Sequence, residues 1–274
     1  KSRKNKPKQL LKIIKNKTMV RLTFERINKI ADSKYILIIA SKELCKKIAF
    51  EIPEIPQENF IIEPSGKNTA PAIGLAAIHI LKKNPEALMA IYPSDHLIEG
   101  NEKFQYTIEK AQQLIKTKRC LVTIGVKPTY PATGYGYIYH HHHTKSPTIH
   151  EVINFTEKPS KKNAEKFISN GNYLWNAGIF IWKANTLFEE MKKFIPDLYE
   201  KLLLIHDNIS TSNYKSILTS EWNKINPKSI DYGILEKSNN IYTIKADFKW
   251  NDLGSWKSLF NILSKNKEKN FYEG

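Results

Sequence analysis

Phe60-Ile61-Ile62-Glu63-Pro64-Ser65-Gly66-Lys67-Asn68-Thr69-Ala70-Pro71 holds three signals in one run: a short apolar strand, a polar loop and a helix start. Asn68 or Thr69 can cap the helix, and Pro71 suits its first turn, where a missing N–H leaves no bond unmade. A strand emptying through a small-residue loop into a helix N-terminus presents free N–H groups and the positive end of the helix dipole. An anion or the polar edge of a nucleotide is favoured there.

Outward from this run the pattern repeats. Val20, Phe24, Ile27 and Ile30 recur at helical spacing. Residues 35–40 form a continuous apolar run expected of a strand covered on both faces, followed by a helix over 42–50 and a loop with Pro53 and Pro56. Strands are expected at 87–92 and 120–126 with a helix over 101–116 between them. This alternation predicts a doubly wound α/β sheet with mostly parallel strands. After Pro128 the rhythm changes: 135–139 and 149–156 read as paired strands around a polar excursion. A helix over 161–169, a strand at 178–182, several helices and a strand at 241–245 complete one domain without repeats or long linkers.

Composition removes several classes. A chain of 274 residues, 41% hydrophobic, can bury a full core, yet no stretch approaches the ~18 consecutive apolar residues of a membrane span. Cys45 and Cys120 cannot build a disulfide framework and lack metal-ligand spacing, which suits reduced packing residues in a cytoplasmic protein. The net charge of +16 attracts polyanions, but the lysines are dispersed and no arginine-rich or aromatic-interleaved block points to nucleic acid. His140 to His143 are expected in a solvated hairpin excursion with at most adventitious nickel or zinc binding, and Trp175, Trp250 and Trp256 are read as packing residues.

Open α/β sheets bind ligands at the carboxyl ends of their strands. Pro93-Ser94-Asp95-His96 follows one strand and Asp252 follows the last, so two carboxylates meeting at one edge can hold Mg²⁺ through oxygen. On spacing alone a strand-end Asp is more commonly a cap or turn former.

Residues Glu63 to Ala72 resemble the E-P-x-x-R-N-T-A-P-A segment of bacterial mannose-1-phosphate guanylyltransferases, with Lys67 in place of the usual Arg. Pro93 to His96, Thr133 to Ile138, Phe155 to Pro159, Tyr173 to Phe180, Ser229 to Tyr232 and Trp250 to Trp256 resemble further blocks in the family's order. The resemblance implies a Rossmann-like, doubly wound mixed sheet of the nucleotide-diphospho-sugar transferase type. It also implies in-line transfer of GMP from GTP to mannose 1-phosphate, with pyrophosphate leaving. Transferred position by position, Lys8 would lie near the nucleotide phosphates, and Lys158 would hold the phosphate of mannose 1-phosphate. Gly66, Lys67, Asn68 and Thr69 would face the guanosine; Gly136, Glu157 and Asn176 would meet the sugar; Asp95 and Asp252 would carry Mg²⁺. The partners implied are GTP and mannose 1-phosphate, with no nucleic acid or membrane; monomer and homodimer stay open. A transferase for another base or sugar, and a non-catalytic fragment binding nucleotide or a partner subunit, remain alternatives.

Family members place a strand and a G-G-x-G-T-R-L-W-P-L-S-R loop just before P-K-Q, whereas this sequence opens at Lys1 and reaches Pro7-Lys8-Gln9 at once. The resemblance therefore implies that residues 1–274 are a nucleotidyltransferase domain whose first strand, glycine-rich phosphate loop and arginine lie outside this sequence. The chain as written is then expected to be inactive until they are restored. Lys269 to Gly274 likewise resembles the point where members continue into a β-helical or isomerase region.

Overall fold

A computed structural model describes residues 7–14, 16–141 and 147–254. A short turn at Lys8–Leu10 leads into β1 (Lys12–Ile14), β2 (Lys17–Thr18) and α1 (Met19–Ile27), where the Thr18 hydroxyl accepts from the Arg21 N–H. β3 (Ile38–Ala40), α2 (Lys42–Glu51) and β4 (Phe60–Ile62) follow, and then α3 (Thr69–Lys83), capped by the Asn68 side chain. The next elements are β5 (Leu88–Ile91), β6 (Leu97–Glu99), α4 (Asn101–Thr117), β7 (Leu121–Val126), the β8 (Tyr137–His140)/β9 (Ile149–Thr156) hairpin and α5 (Lys161–Asn170). Finally come β10 (Tyr173–Lys183), α6 (Ala184–Phe194), α7 (Pro196–Asn208), α8 (Tyr214–Lys224), β11 (Ile241–Lys245) and β12 (Lys249–Asn251).

Six strands form the main sheet in the order β5-β10-β7-β11-β9-β8. The expectation of mostly parallel strands is corrected here: among the described residues β7–β11 is the parallel pair of this sheet, and its other pairings are antiparallel. The cause is the chain after Val126, which returns through a hairpin and one helix and sends β10 back against β5 and β7. Antiparallel neighbours require no crossover. β3 and β4 pair with each other in parallel, apart from this sheet, although α3 packs against both β3 and β5.

Period-two alternation decides which helices cover which face. On one face Leu121, Phe180, Trp182 and Ile241 pack with α3, α6, α7 and α8; on the other Val122, Ile124, Ile179, Ile181 and Ile244 pack with α4. A third cluster joins α1 and α2 to Ile36 and Ile55. The apolar run at 35–40 is only part strand: Tyr35 sits in a turn and is 72% exposed, so covering on both faces holds only towards Ala40. Among the described residues no helix is long and apolar enough to cross a membrane.

β10 is the pivot of the sheet. Tyr173 to Trp175 pair with β8, Phe180 to Lys183 with β5, and the register against β7 shifts between Asn176 and Phe180. Gly178 lies in that break with φ +67°, a left-handed conformation that glycine adopts without penalty. β12 pairs with β6, Asn251 opposite Leu97, which pins the residue after β12 beside the residues before β6.

Phe104 of α4 is fully buried, its ring edge-on to Phe248 at 5.5 Å. Phe104→Ala is expected to cost about 3–5 kcal/mol of unfolding free energy through lost burial and a cavity. Denaturant unfolding measures this, and a loss below about 1 kcal/mol would show that the α4 face is not packed as described.

Candidate active site

A cleft of about 240 Å³ opens where β10 breaks. Asn176, Ala177 and Gly178 line it from β10, Gly134 to Gly136 from the loop before β8, and Glu157 from the end of β9. Thr69, Pro93, His96, Asp231, Trp250 and Asp252 complete most of the wall. A second hollow, of about 340 Å³ beside Leu10, Lys46, Lys47, Phe50 and Glu51, contains none of the residues expected to carry chemistry.

At one end stand the two carboxylates expected for metal. The Lys8 ammonium donates to Asp95 Oδ2 at 2.9 Å and also to the backbone carbonyl of Asp252. One cation thus joins the loop after β5 to the segment after β12. The Tyr135 hydroxyl donates to Asp252 Oδ1 at 2.7 Å, fixing that carboxylate. The Trp250 indole N–H donates to His96 Nδ1 at 3.1 Å, with the rings edge-on at 5.3 Å. That bond leaves the His96 proton on Nε2. Burial pushes the imidazole down to about 4, against the opposing pull of Asp95. Among the described residues no group of three His, Cys, Asp or Glu side chains gathers as a metal cage. Two carboxylates nevertheless fit Mg²⁺, which is bound through one or two carboxylates together with substrate phosphates and water.

The other end is built around Asn176. Its Oδ1 accepts from Thr123 Oγ1 at 2.8 Å and from the Gly178 N–H at 3.0 Å, so its amide nitrogen is turned to Asp231 Oδ1 at 3.1 Å. Its backbone N–H donates to the Gly136 carbonyl at 2.8 Å. A Cβ at Gly136 would lie 2.6 Å from Glu157 Oε2 and 2.8 Å from the Phe155 ring, so the close approach of these two side chains demands glycine. Glu157 Oε1 pairs with the Lys158 ammonium at 2.8 Å; the glutamate side chain is 9% exposed and the lysine 57%. Lys158 has φ +47°, uncommon for a residue with a side chain, and its N–H donates to the Tyr135 carbonyl at 3.2 Å.

Thr69 alone of the four expected guanosine-facing residues lines the cleft; its hydroxyl accepts from the Ile230 N–H at 2.8 Å. The loop before it is tied elsewhere. The Trp222 indole donates to the Ser65 carbonyl at 2.7 Å, the Lys228 N–H to the Lys67 carbonyl at 3.1 Å, and the Lys67 ammonium to the Asn223 carbonyl at 3.4 Å. Gly66 has open space where a Cβ would stand, and Asn68 has φ +74°.

Trp250 packs as expected and in addition sets the His96 tautomer, because β12 lays it across β6. One reading of a side chain as a bystander is corrected. His140 is not solvated: it lies on β8, buried at 4% exposure and stacked on His150 at 4.3 Å. His141 is exposed, while His142, His143 and Trp256 lie outside the described residues. Sequence reasoning assigns no role to Asp231, Tyr135, His96 or Thr123. The first three fall inside visible motif blocks, and Thr123 carries no signal beyond its strand.

Burial pushes the Asp231 carboxyl up to about 6 from its ordinary 3.8, and Glu157 and Glu236 act in the same direction against Lys158. A carboxyl raised in the folded state adds stability that is fully present below the ordinary value and is lost as pH rises through about 6. Asp231→Asn is therefore expected to stabilise the fold at pH 8 by on the order of 1–3 kcal/mol, with the gain gone near pH 4. Thermal unfolding of both proteins across that range checks this; parallel curves would contradict the burial of a charge at Asp231.

The sequence matches the nucleotidyl transferase family over residues 3–269. It is 34% identical over 281 residues to mannose-1-phosphate guanylyltransferase 2 of Escherichia coli O157:H7, covering 97% of this chain and 57% of that protein. A mannose-1-phosphate guanylyltransferase of Salmonella montevideo is also 34% identical, with 98% of this chain and 58% of the relative covered. The chain thus spans somewhat under three fifths of these curated relatives. Its fold superposes on a crystal structure titled mannose-1-phosphate geranyltransferase from Thermus thermophilus with a TM-score of 0.86 at 27% identity, covering 100% of this chain and 77% of the other. With the family profile matched along almost its whole length and the cleft at the break in β10, this chain belongs to the nucleotidyl transferase family.

Proposed function

We propose that the cleft serves transfer of GMP from GTP to mannose 1-phosphate, releasing pyrophosphate. The observation that carries this is the two-ended cleft: a hydroxyl-matching end at Gly136, Glu157 and Asn176 is continuous with Asp252, whose carbonyl takes the ammonium of the Lys8–Asp95 pair just beyond the lining. The names of the relatives supply the base and the sugar.

In the reaction an oxygen of the mannose 1-phosphate phosphate attacks the α-phosphorus of GTP. The bond to the oxygen bridging the α- and β-phosphorus breaks, and pyrophosphate leaves with that electron pair. Two polyanions must meet, so positioning and charge neutralisation dominate. Lys158, exposed and among the described residues paired with Glu157, would exchange that carboxylate for the sugar phosphate. Lys8 is the corresponding cation for the nucleotide phosphates. Asp95 and Asp252 would hold Mg²⁺, which supplies neutralisation of phosphate charge. Use of the GTP pool makes the cytoplasm the compartment.

Pyrophosphate release with Mg²⁺ tests the reading. The protein is expected to turn over GTP with mannose 1-phosphate faster than ATP, UTP or dTTP, or than GTP with glucose 1-phosphate. Preference for another pair would reassign base or sugar. Lys158→Ala should weaken mannose 1-phosphate by about 1.5–3 kcal/mol and leave GTP unchanged; equal weakening of both would remove Lys158 from the sugar-phosphate site.

A further inference from the structure

We propose that Asp231 is a specificity-determining residue of the cleft, accepting a ring hydroxyl of the sugar and forming with Glu157 a two-carboxylate grip on a polyol. The inference rests on the reading of the cleft as a sugar-phosphate site and adds a residue to it. It begins with the orientation of Asn176. Because Thr123 and Gly178 both donate to Asn176 Oδ1, the amide cannot flip without breaking two bonds, and its nitrogen is committed to Asp231 Oδ1. One oxygen of Asp231 is thereby occupied. Among the described residues the other receives no side-chain donor, and beyond the residue's own N–H the carboxyl has no further partner there.

Charge sharpens the point. The nearest ammonium, Lys158, is paired with Glu157 and not with Asp231. A half-buried carboxylate without a directly paired cation is costly unless donors satisfy it. An anion is repelled by the pair, whereas hydroxyl groups donate to it without adding charge. The grip therefore takes the neutral ring of a sugar, and the phosphate of the same molecule lies away from Asp231, towards Lys158.

The backbone holds Asp231 in place. It begins a single π-type turn, Asp231–Leu235, of a kind frequent at functional sites. The preceding Ile230 N–H is fixed by Thr69 at 2.8 Å, and the Gly233 N–H by the Ser229 carbonyl at 2.9 Å. Asp231 is thus a preorganised acceptor, tied through Thr69 to the loop that enters α3.

Asp231→Asn tests this cleanly, since its amide oxygen can still accept from Asn176 while the second acceptor becomes a donor. Calorimetric titration of the 274-residue chain with mannose 1-phosphate, its 2-, 3- and 4-deoxy analogues, GTP and Mg²⁺ is the experiment. The variant is expected to bind mannose 1-phosphate roughly tenfold or more weakly, the loss of one bond to a charged acceptor, with GTP within twofold. One deoxy analogue should bind the wild type as weakly as the variant binds the parent sugar and lose nothing further in the variant. Unchanged affinity, equal loss of sugar phosphate and GTP, or loss of Mg²⁺ binding in its place would each overturn the assignment. If the wild type binds glucose 1-phosphate and not mannose 1-phosphate, the sugar named above falls, while the same comparison on glucose 1-phosphate still decides Asp231. If it binds neither, both fall.

Discussion

A single left-handed residue in the longest strand organises this molecule. Gly178 breaks β10 between its pairing with β8 and its pairing with β5, and the strand cannot run straight through that φ. A Cβ there would meet Pro93 and His96 only at ordinary contact distance, 3.4 and 3.6 Å, so backbone conformation and not space reserves the position for glycine. From the break everything else in the cleft takes its bearings. Asn176 is the last residue paired with β7 before the break, and it turns its amide to Thr123, Gly178 and Asp231. Pro93 and His96 come up against the bend, and the cleft opens between the two halves of the strand.

The electrostatics of the cleft run against those of the chain. A protein of net charge +16 lines its cleft with Glu157, Asp231 and Asp252 and holds Asp95 beside it, and two of these four carboxylates, Asp95 and Glu157, are answered by lysines in ion pairs. The basic surface draws polyanions from a distance, while acidic acceptors at close range select for hydroxyls and metal. Lys8 and Lys158 stand at this boundary, each held by a carboxylate that a phosphate can replace.

Much of this is legible in the sequence, for identifiable reasons. The helix over 69–83, the hairpin of 137–140 with 149–156 and the strands at 88–91 and 241–245 follow from caps and apolar runs that depend on neighbours in the chain. Asp95 and Asp252 can be paired because both end strands. Strand direction is not legible: the alternation that suggests crossovers says nothing of β10 crossing three partners in an antiparallel sense. Asp231 stands in a motif yet gains no role from it, because its importance arises from Asn176, 55 residues away, and from a turn that no local pattern announces. Four histidines in a row look polar, which points His140 to solvent; a hairpin register places it inward instead, against His150.

The most direct measurement is a crystal structure with GDP-mannose bound. The account predicts the mannosyl ring in the break of β10, between Gly136 and Asn176, with hydroxyls on Glu157 and Asp231 and the diphosphate running towards Lys8 and Asp95. Density for the sugar outside this cleft, or a reversed ligand with its base against Glu157 and Asp231, would contradict it.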